Sequence, residues 1–333
     1  MTSEQPETIH VAPSPHLATG SLTTRRMMVD VLIGLAPAVA VAVFMFRWDA
    51  VVVVGLCVLC CLAAEAIFSL PRGKRVPLDD YSAVVTGLIL GLSLPATARD
   101  HLHIVVIGSV AAIGLGKAVF GGLGYNIFNP AMVGRAFVML SFAKEMGASA
   151  YRVAESPLKI LSEATPLTVA KEAAKGTAES VDLPELWPLF VGTVNGSLGE
   201  ISAAALLLGG VYLCVRRVVS WEIPAGTLAA AAVCAGAANL TGLTTISPWH
   251  HLAGGALLLG AFFIATDPVT SPLSGRGKFI FGLGIGALVM LIRLFSGYPE
   301  GVMFAVLLMN AAVPLIDRWT VPRPLGGPAP KRT

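Results

Sequence analysis

Leu88-Ile89-Leu90-Gly91 leads into Pro95-Ala96-Thr97, and Leu257-Leu258-Leu259-Gly260 leads into Ile264-Ala265-Thr266. Five positions are identical at a constant offset of 169. The echo continues: Gly114-Leu115-Gly116 is matched by Gly284-Ile285-Gly286, and Gly124-Tyr125 by Gly297-Tyr298. Matched short or Gly/Pro-interrupted apolar segments in two halves of a membrane chain point to a central site between repeats. The pattern therefore predicts a protein that moves or holds something near the bilayer midplane.

Composition agrees. Of 333 residues, 55% are hydrophobic and 13% are charged, where a soluble domain carries about 25% charge. Apolar runs long enough to approach the roughly 20 residues of a span fall at ten places: 28–46, 50–70, 82–96, 102–120, 130–143, 199–216, 222–243, 251–266, 279–295 and 301–316. The third, fifth and eighth are short, and are expected to be broken or half-buried in protein. The fold class expected is an all-α polytopic membrane protein of about ten helices. Five spans per half is an odd number, so true repeats would insert with opposite orientations. The expected organisation is a tail over 1–27, a first five-helix repeat over 28–143, a loop over 144–198, a second repeat over 199–317 and a tail over 318–333. No cleavable signal peptide is apparent. Arg25, Arg26, Arg72, Lys74, Arg216, Arg217 and Arg276 fall on one side of this scheme, so both termini are expected in the cytoplasm and the 144–198 loop on the outer face. The net charge of +3 is absorbed by that asymmetry and calls for no nucleic-acid partner.

Ionisable groups inside spans are costly and tend to be functional. They are Asp30, Glu65, Lys117, Arg135 and Asp267. Lys117 and Arg135 flank Gly121-Gly122-Leu123-Gly124-Tyr125-Asn126-Ile127-Phe128-Asn129-Pro130, whose glycines allow close backbone approach. Lys117, Asn126, Asn129 and Arg135 could hold an anionic or electron-rich ring. Asp267-Pro268 ends the eighth span, where proline stops a helix, and Asp267 is a candidate for an ion path. Capping of broken helices by these Asp and Asn residues is the plainer reading. Cys57 and Cys60 form a C-x-x-C on one helical face, or simply pack between helices as free thiols do. His101, His103, His250 and His251 read as membrane-edge residues. Thr165, followed by Pro166, reads on its own as a helix cap.

Three ordered motifs carry a resemblance: 121–134, Ala-Thr-Asp-Pro-Val-Thr-Ser-Pro at 265–272, and Gly-Tyr-Pro-Glu-Gly-Val-Met-Phe-Ala-Val-Leu-Leu-Met-Asn at 297–310. Together they resemble the family of RnfD and NqrB, membrane subunits of the Rnf complex and of the sodium-pumping NADH:quinone reductase. Length and the short N-terminal tail are more similar to RnfD. The resemblance implies an architecture like that of urea channels. It also implies an FMN joined through its phosphate to a threonine hydroxyl by a flavin transferase. Ser162-Glu163-Ala164-Thr165 occupies the place of the family's Ser-Gly-Ala-Thr, which makes Thr165 the implied acceptor; Glu163 and Ile160 depart from the usual pattern. A second, non-covalent flavin, riboflavin, is implied within the membrane.

The function so implied is a flavin-carrying subunit of the Rnf complex in the bacterial inner membrane, with other Rnf subunits as partners. It would relay electrons between ferredoxin and NAD with coupled Na⁺ or H⁺ translocation, as one part of an oxidoreductase and not a complete enzyme. The alternatives are an NqrB-type component of a quinone reductase and, from the repeats alone, a non-redox channel for a small solute. No metal site is expected.

Overall fold

The computed structural model describes residues 23–70, 78–146, 186–192, 196–244, 246–296 and 300–322. They are helical, with no strand among them. The first half contains α1 (Thr24–Phe46), α2 (Trp48–Ser69), α3 (Ser82–Ser93), α4 (Leu102–Ile113) and α5 (Pro130–Ser141). A 3-10 stretch, Ala96–His101, leads into α4, and a π turn, Gly114–Ala118, prolongs it. The second half contains α6 (Ala203–Val215), α7 (Glu222–Leu240), α8 (Leu257–Leu259, continued by a π turn over Gly260–Ile264), α9 (Gly275–Phe295) and α10 (Val302–Thr320). Six helical segments are long and apolar enough to cross a bilayer among the described residues: α1, α2, Ala96–Ala118, α7, α9 and α10. The chain is a multi-pass membrane protein.

The remaining apolar helices, α3, α5, α6 and α8, are short. Three of them match the short runs of the sequence. The sixth run, expected at 199–216, yields a helix only from Ala203, capped by Ser202, whose side chain accepts from Ala205 N–H. The residues before it are irregular because they serve another element. Leu198 N–H donates to Leu94 O at 3.1 Å and Gly199 N–H to Leu92 O at 2.7 Å, which satisfies carbonyls at the broken end of α3. Unsatisfied backbone groups cost several kcal/mol in hydrocarbon, so each helix that stops inside the bundle must find such partners.

Small residues set the packing. Gly282 and Gly286, spaced as in a membrane helix-pairing motif, bring α9 against α7. A Cβ on either would collide with the carbonyl of Ile223 or Thr227. Across the halves, α1 meets α6 where Gly209 lies on the carbonyl of Gly34. Beside that contact Tyr212 donates to Asp30 at 2.9 Å, and Arg216 stands 3.4 Å from it. Asp30 and Glu65, two of the ionisable groups within the apolar runs, are both buried. The faces are marked by pairs: Arg25 bonds Tyr81 at the end where α1 begins, and Arg99 pairs with Asp49 at the opposite end.

Overpacking of such a contact costs about 1–3 kcal/mol. Gly209→Val is expected to lower the thermal unfolding midpoint of the detergent-solubilised protein, whereas Gly55→Ala, where a Cβ meets nothing within 4 Å, is expected to leave it unchanged.

Candidate functional site

Helix α5 starts in the interior of the bundle, and the sequence before it explains how. Gly121, Gly122 and Gly124 take φ of 120°, 113° and 91°, a region that side chains disfavour. They let the chain turn back from α4. Asn129 then caps α5, its Oδ1 accepting from Met132 N–H at 3.3 Å, and Pro130 fills the first helical position, as is usual at helix starts.

Asn129 does more than cap. Its Nδ2 donates to Ile264 O at 3.1 Å, the last residue of the π turn that ends α8, and its N–H donates to Asn310 Oδ1 at 3.1 Å. Asn310, in the middle of α10, donates from Nδ2 to Thr270 O at 2.9 Å. Two buried amides thus join three breaks in the chain: the start of α5, the end of α8 and the turn after Asp267. In that turn the Asp267 carboxylate accepts from Val269 N–H and Thr270 Oγ1, both at 3.2 Å. The capping role read from the sequence is present for Asn129, whereas the Asp267 carboxylate closes a turn and caps no helix.

Beside this junction lies a cavity of about 80 Å³, lined among others by Lys117, Asn126, Asn129, Thr266 and Asp267, with Met27 and Met28 at the end where α1 begins. Three of the four residues proposed to surround a ring, together with the ion-path candidate, are brought to one place. Water occupies roughly 30 Å³ per molecule in the liquid, and drug-sized ligands sit in pockets of about 300–1,000 Å³. Asn126 donates from Nδ2 to Phe128 O at 3.2 Å, and its Oδ1 is buried without a partner among the described residues.

Lys117 sits in the π turn closed by Val119 N–H to Gly114 O at 2.9 Å. Its ammonium donates to Glu65 Oε1, Glu65 Oε2 and Ser82 Oγ, each at 2.6 Å. Ser82 in turn donates to Asp80 Oδ1 at 2.6 Å. The partnership of Lys117 with Glu65 was not anticipated from the sequence; two opposite charges in neighbouring apolar spans were the available signal.

Arg135 is separated from the other three. It lies six residues into α5 and pairs with Glu300 Oε2 at 2.8 Å and Glu200 Oε1 at 3.5 Å. Arg293 stands nearby, donating to the carbonyls of His251 and Gly254. Glu200, Glu300, Arg293 and Asn310 were missed in the sequence reading. Glu300 and Asn310 lie within the third quoted motif, and Arg293 is a charge at the end of a span. Cys57 and Cys60 remain thiols, with Cys57 buried in the core, and no cluster of three or more His, Cys, Asp or Glu side chains able to hold a metal occurs among the described residues. Thr165 lies outside the described residues.

The pattern described as the NQR2, RnfD, RnfE family matches residues 10–326. A relative from Acetobacterium woodii, named as the D subunit of a Na⁺-translocating ferredoxin:NAD⁺ oxidoreductase complex, is 41% identical over 95% of this chain and 95% of its own. One from Clostridium ljungdahlii, named as the D subunit of a proton-translocating ferredoxin:NAD⁺ oxidoreductase complex, is 38% identical over 95% and 96%. The D subunit of an ion-translocating oxidoreductase complex from Salmonella paratyphi A is 38% identical over 95% and 98%.

Removing one member of a buried ion pair costs about 3–5 kcal/mol because the other charge stays behind. Lys117→Met is expected to destabilise the purified protein by that order, and Lys117→Met combined with Glu65→Gln to recover most of the loss, read by denaturant or thermal unfolding in detergent.

Proposed function

The chain belongs to the NQR2, RnfD, RnfE family, and from that premise we propose that it is the RnfD component of an ion-translocating ferredoxin:NAD⁺ oxidoreductase complex. It works with the other subunits in the membrane as an electron relay and an ion path. The single observation that carries the ion path is the interior cavity faced by Asp267, Thr266, Asn126 and Asn129. A cation far inside the bilayer is costly unless oxygen ligands replace its water, and these side chains present such oxygens. The orphaned Asn126 Oδ1 is an acceptor waiting for a cation or its water. The Lys117–Glu65–Ser82 network holds a fixed ammonium at the edge of this space.

We further read the scaffold as two inverted five-helix repeats with both termini cytoplasmic. Like pairs with like across the halves: α1 with α6, the first helices, and α5 with α10, the fifth. The positive-inside distribution supports the orientation. The cavity then faces the cytoplasm, and the loop carrying Thr165 faces the outer side. FMN esterified to Thr165 would supply the redox chemistry, with the hydroxyl acting only as a tether that keeps the flavin at high local concentration. Relatives of nearly equal identity carry names with different ions, sodium in one and protons in another, so the family does not fix the ion for this chain.

Two experiments test the reading. The denatured chain purified from cells with an active flavin transferase is expected to keep flavin fluorescence, and Thr165→Ala to abolish it; fluorescence retained in the variant moves the attachment elsewhere. In the reconstituted complex, Asp267→Asn is expected to leave electron flow running while ion uptake falls away. Full transport in that variant removes Asp267 from the path.

A further inference from the structure

We propose that Glu200, Glu300 and Arg135 form a second, outer site for the transported monovalent cation, filled in this structure by the chain's own cation, the Arg135 guanidinium. The inference rests on the ion-path reading above and extends it to the opposite end of the bundle.

The same two helices frame both sites. On α5, Asn129 borders the cavity and Arg135 follows six residues later, about 9 Å along a helix. On α10, Asn310 bonds Asn129, and Glu300, just before the first turn, bonds Arg135. Between the two levels, Ala131, Met132, Met303 and Val306 are buried in one continuous core. Along both helices, buried apolar residues therefore intervene between the two polar groups.

The outer site is built from buried groups: Arg135, Glu200 and Arg293 are each 5% exposed. The Glu200 and Glu300 carboxyl groups stand within hydrogen-bonding reach of one another. Glu200 Oε2 is buried and accepts from no described donor. Two converging carboxyl groups with a spare oxygen are suitable oxygen ligands for a monovalent cation, and Arg135 and Arg293 supply the countercharge. Arg293 is held away by the carbonyls of His251 and Gly254, whereas Arg135 spans both carboxylates. A cation leaving the bundle can occupy the carboxylates only as Arg135 swings aside. With Arg135 in place the site repels it, so the paired state resists leak.

The test uses the complete complex in liposomes, with no electron donor, and follows sodium tracer efflux and, separately, dissipation of a pH gradient. Arg135→Gln is expected to raise passive leak of the transported ion about tenfold or more, since a unit charge within a few Å is removed. Arg135→Lys is expected to keep it low. The charge-balanced Arg135→Gln/Glu300→Gln variant is expected to leak as well, which covers the case where the single variant fails to assemble. Adding Asp267→Asn to the leaking variant is expected to suppress the leak. Tight liposomes with both Gln variants overturn the outer site, as does a leak indifferent to Asp267→Asn. If Asp267→Asn alone leaves coupled transport intact, the ion-path reading falls instead.

Discussion

The structure depends on one constraint: a helix that stops inside a membrane protein must find partners for its last carbonyls and first N–H groups. In this chain, the amides of Asn129 and Asn310 meet much of that demand. Each forms bonds in two directions, and together they tie the start of α5 to the end of α8 and to the turn after Asp267. Without them the interior breaks would leave orphan groups in a low-dielectric core. With them, the breaks become places where polar atoms can face a cavity. The irregular backbone is the means by which oxygens reach the interior.

Much of this was legible in the sequence. Six of the ten apolar runs fall on helices long enough to cross a bilayer, and the third, fifth and eighth runs form short helices. Asn129 followed by Pro130 reads as a helix start in any protein. What the sequence did not show was long-range pairing. Lys117 and Glu65 are 52 residues apart and Asn129 and Asn310 are 181 apart; no local period encodes either distance. The separation of Arg135 from Lys117 was hidden for a related reason. Both flank the same glycine-rich stretch, but α5 carries Arg135 away from the cavity by more than one helical turn. The early start expected for the sixth span failed because apolar character alone cannot tell a helix from a turn whose N–H groups bond a neighbour's carbonyls.

The charges inside the bundle are segregated by level. One level holds Lys117 with Glu65, the other Arg135 and Arg293 with Glu200 and Glu300. Each level pairs opposite charges, which lowers the desolvation cost of burying them. Between them the wall is apolar. Such an arrangement suits a membrane protein that must exclude passive ion flow while keeping ion-binding groups inside. The tight glycine contacts of α1 with α6 and of α7 with α9 supply a rigid frame around these levels.

The π turn at Gly114–Ala118 carries one residue more than a regular helical turn would need. Each residue of an α-helix adds about 100° of rotation. Deleting a single residue there would let the segment relax to an ordinary helix and swing Lys117 away from Glu65 and Ser82. Length variation in this stretch is therefore as damaging as a change of residue type, and tolerance of insertions and deletions should fall to a minimum where the amino-acid alphabet alone looks permissive.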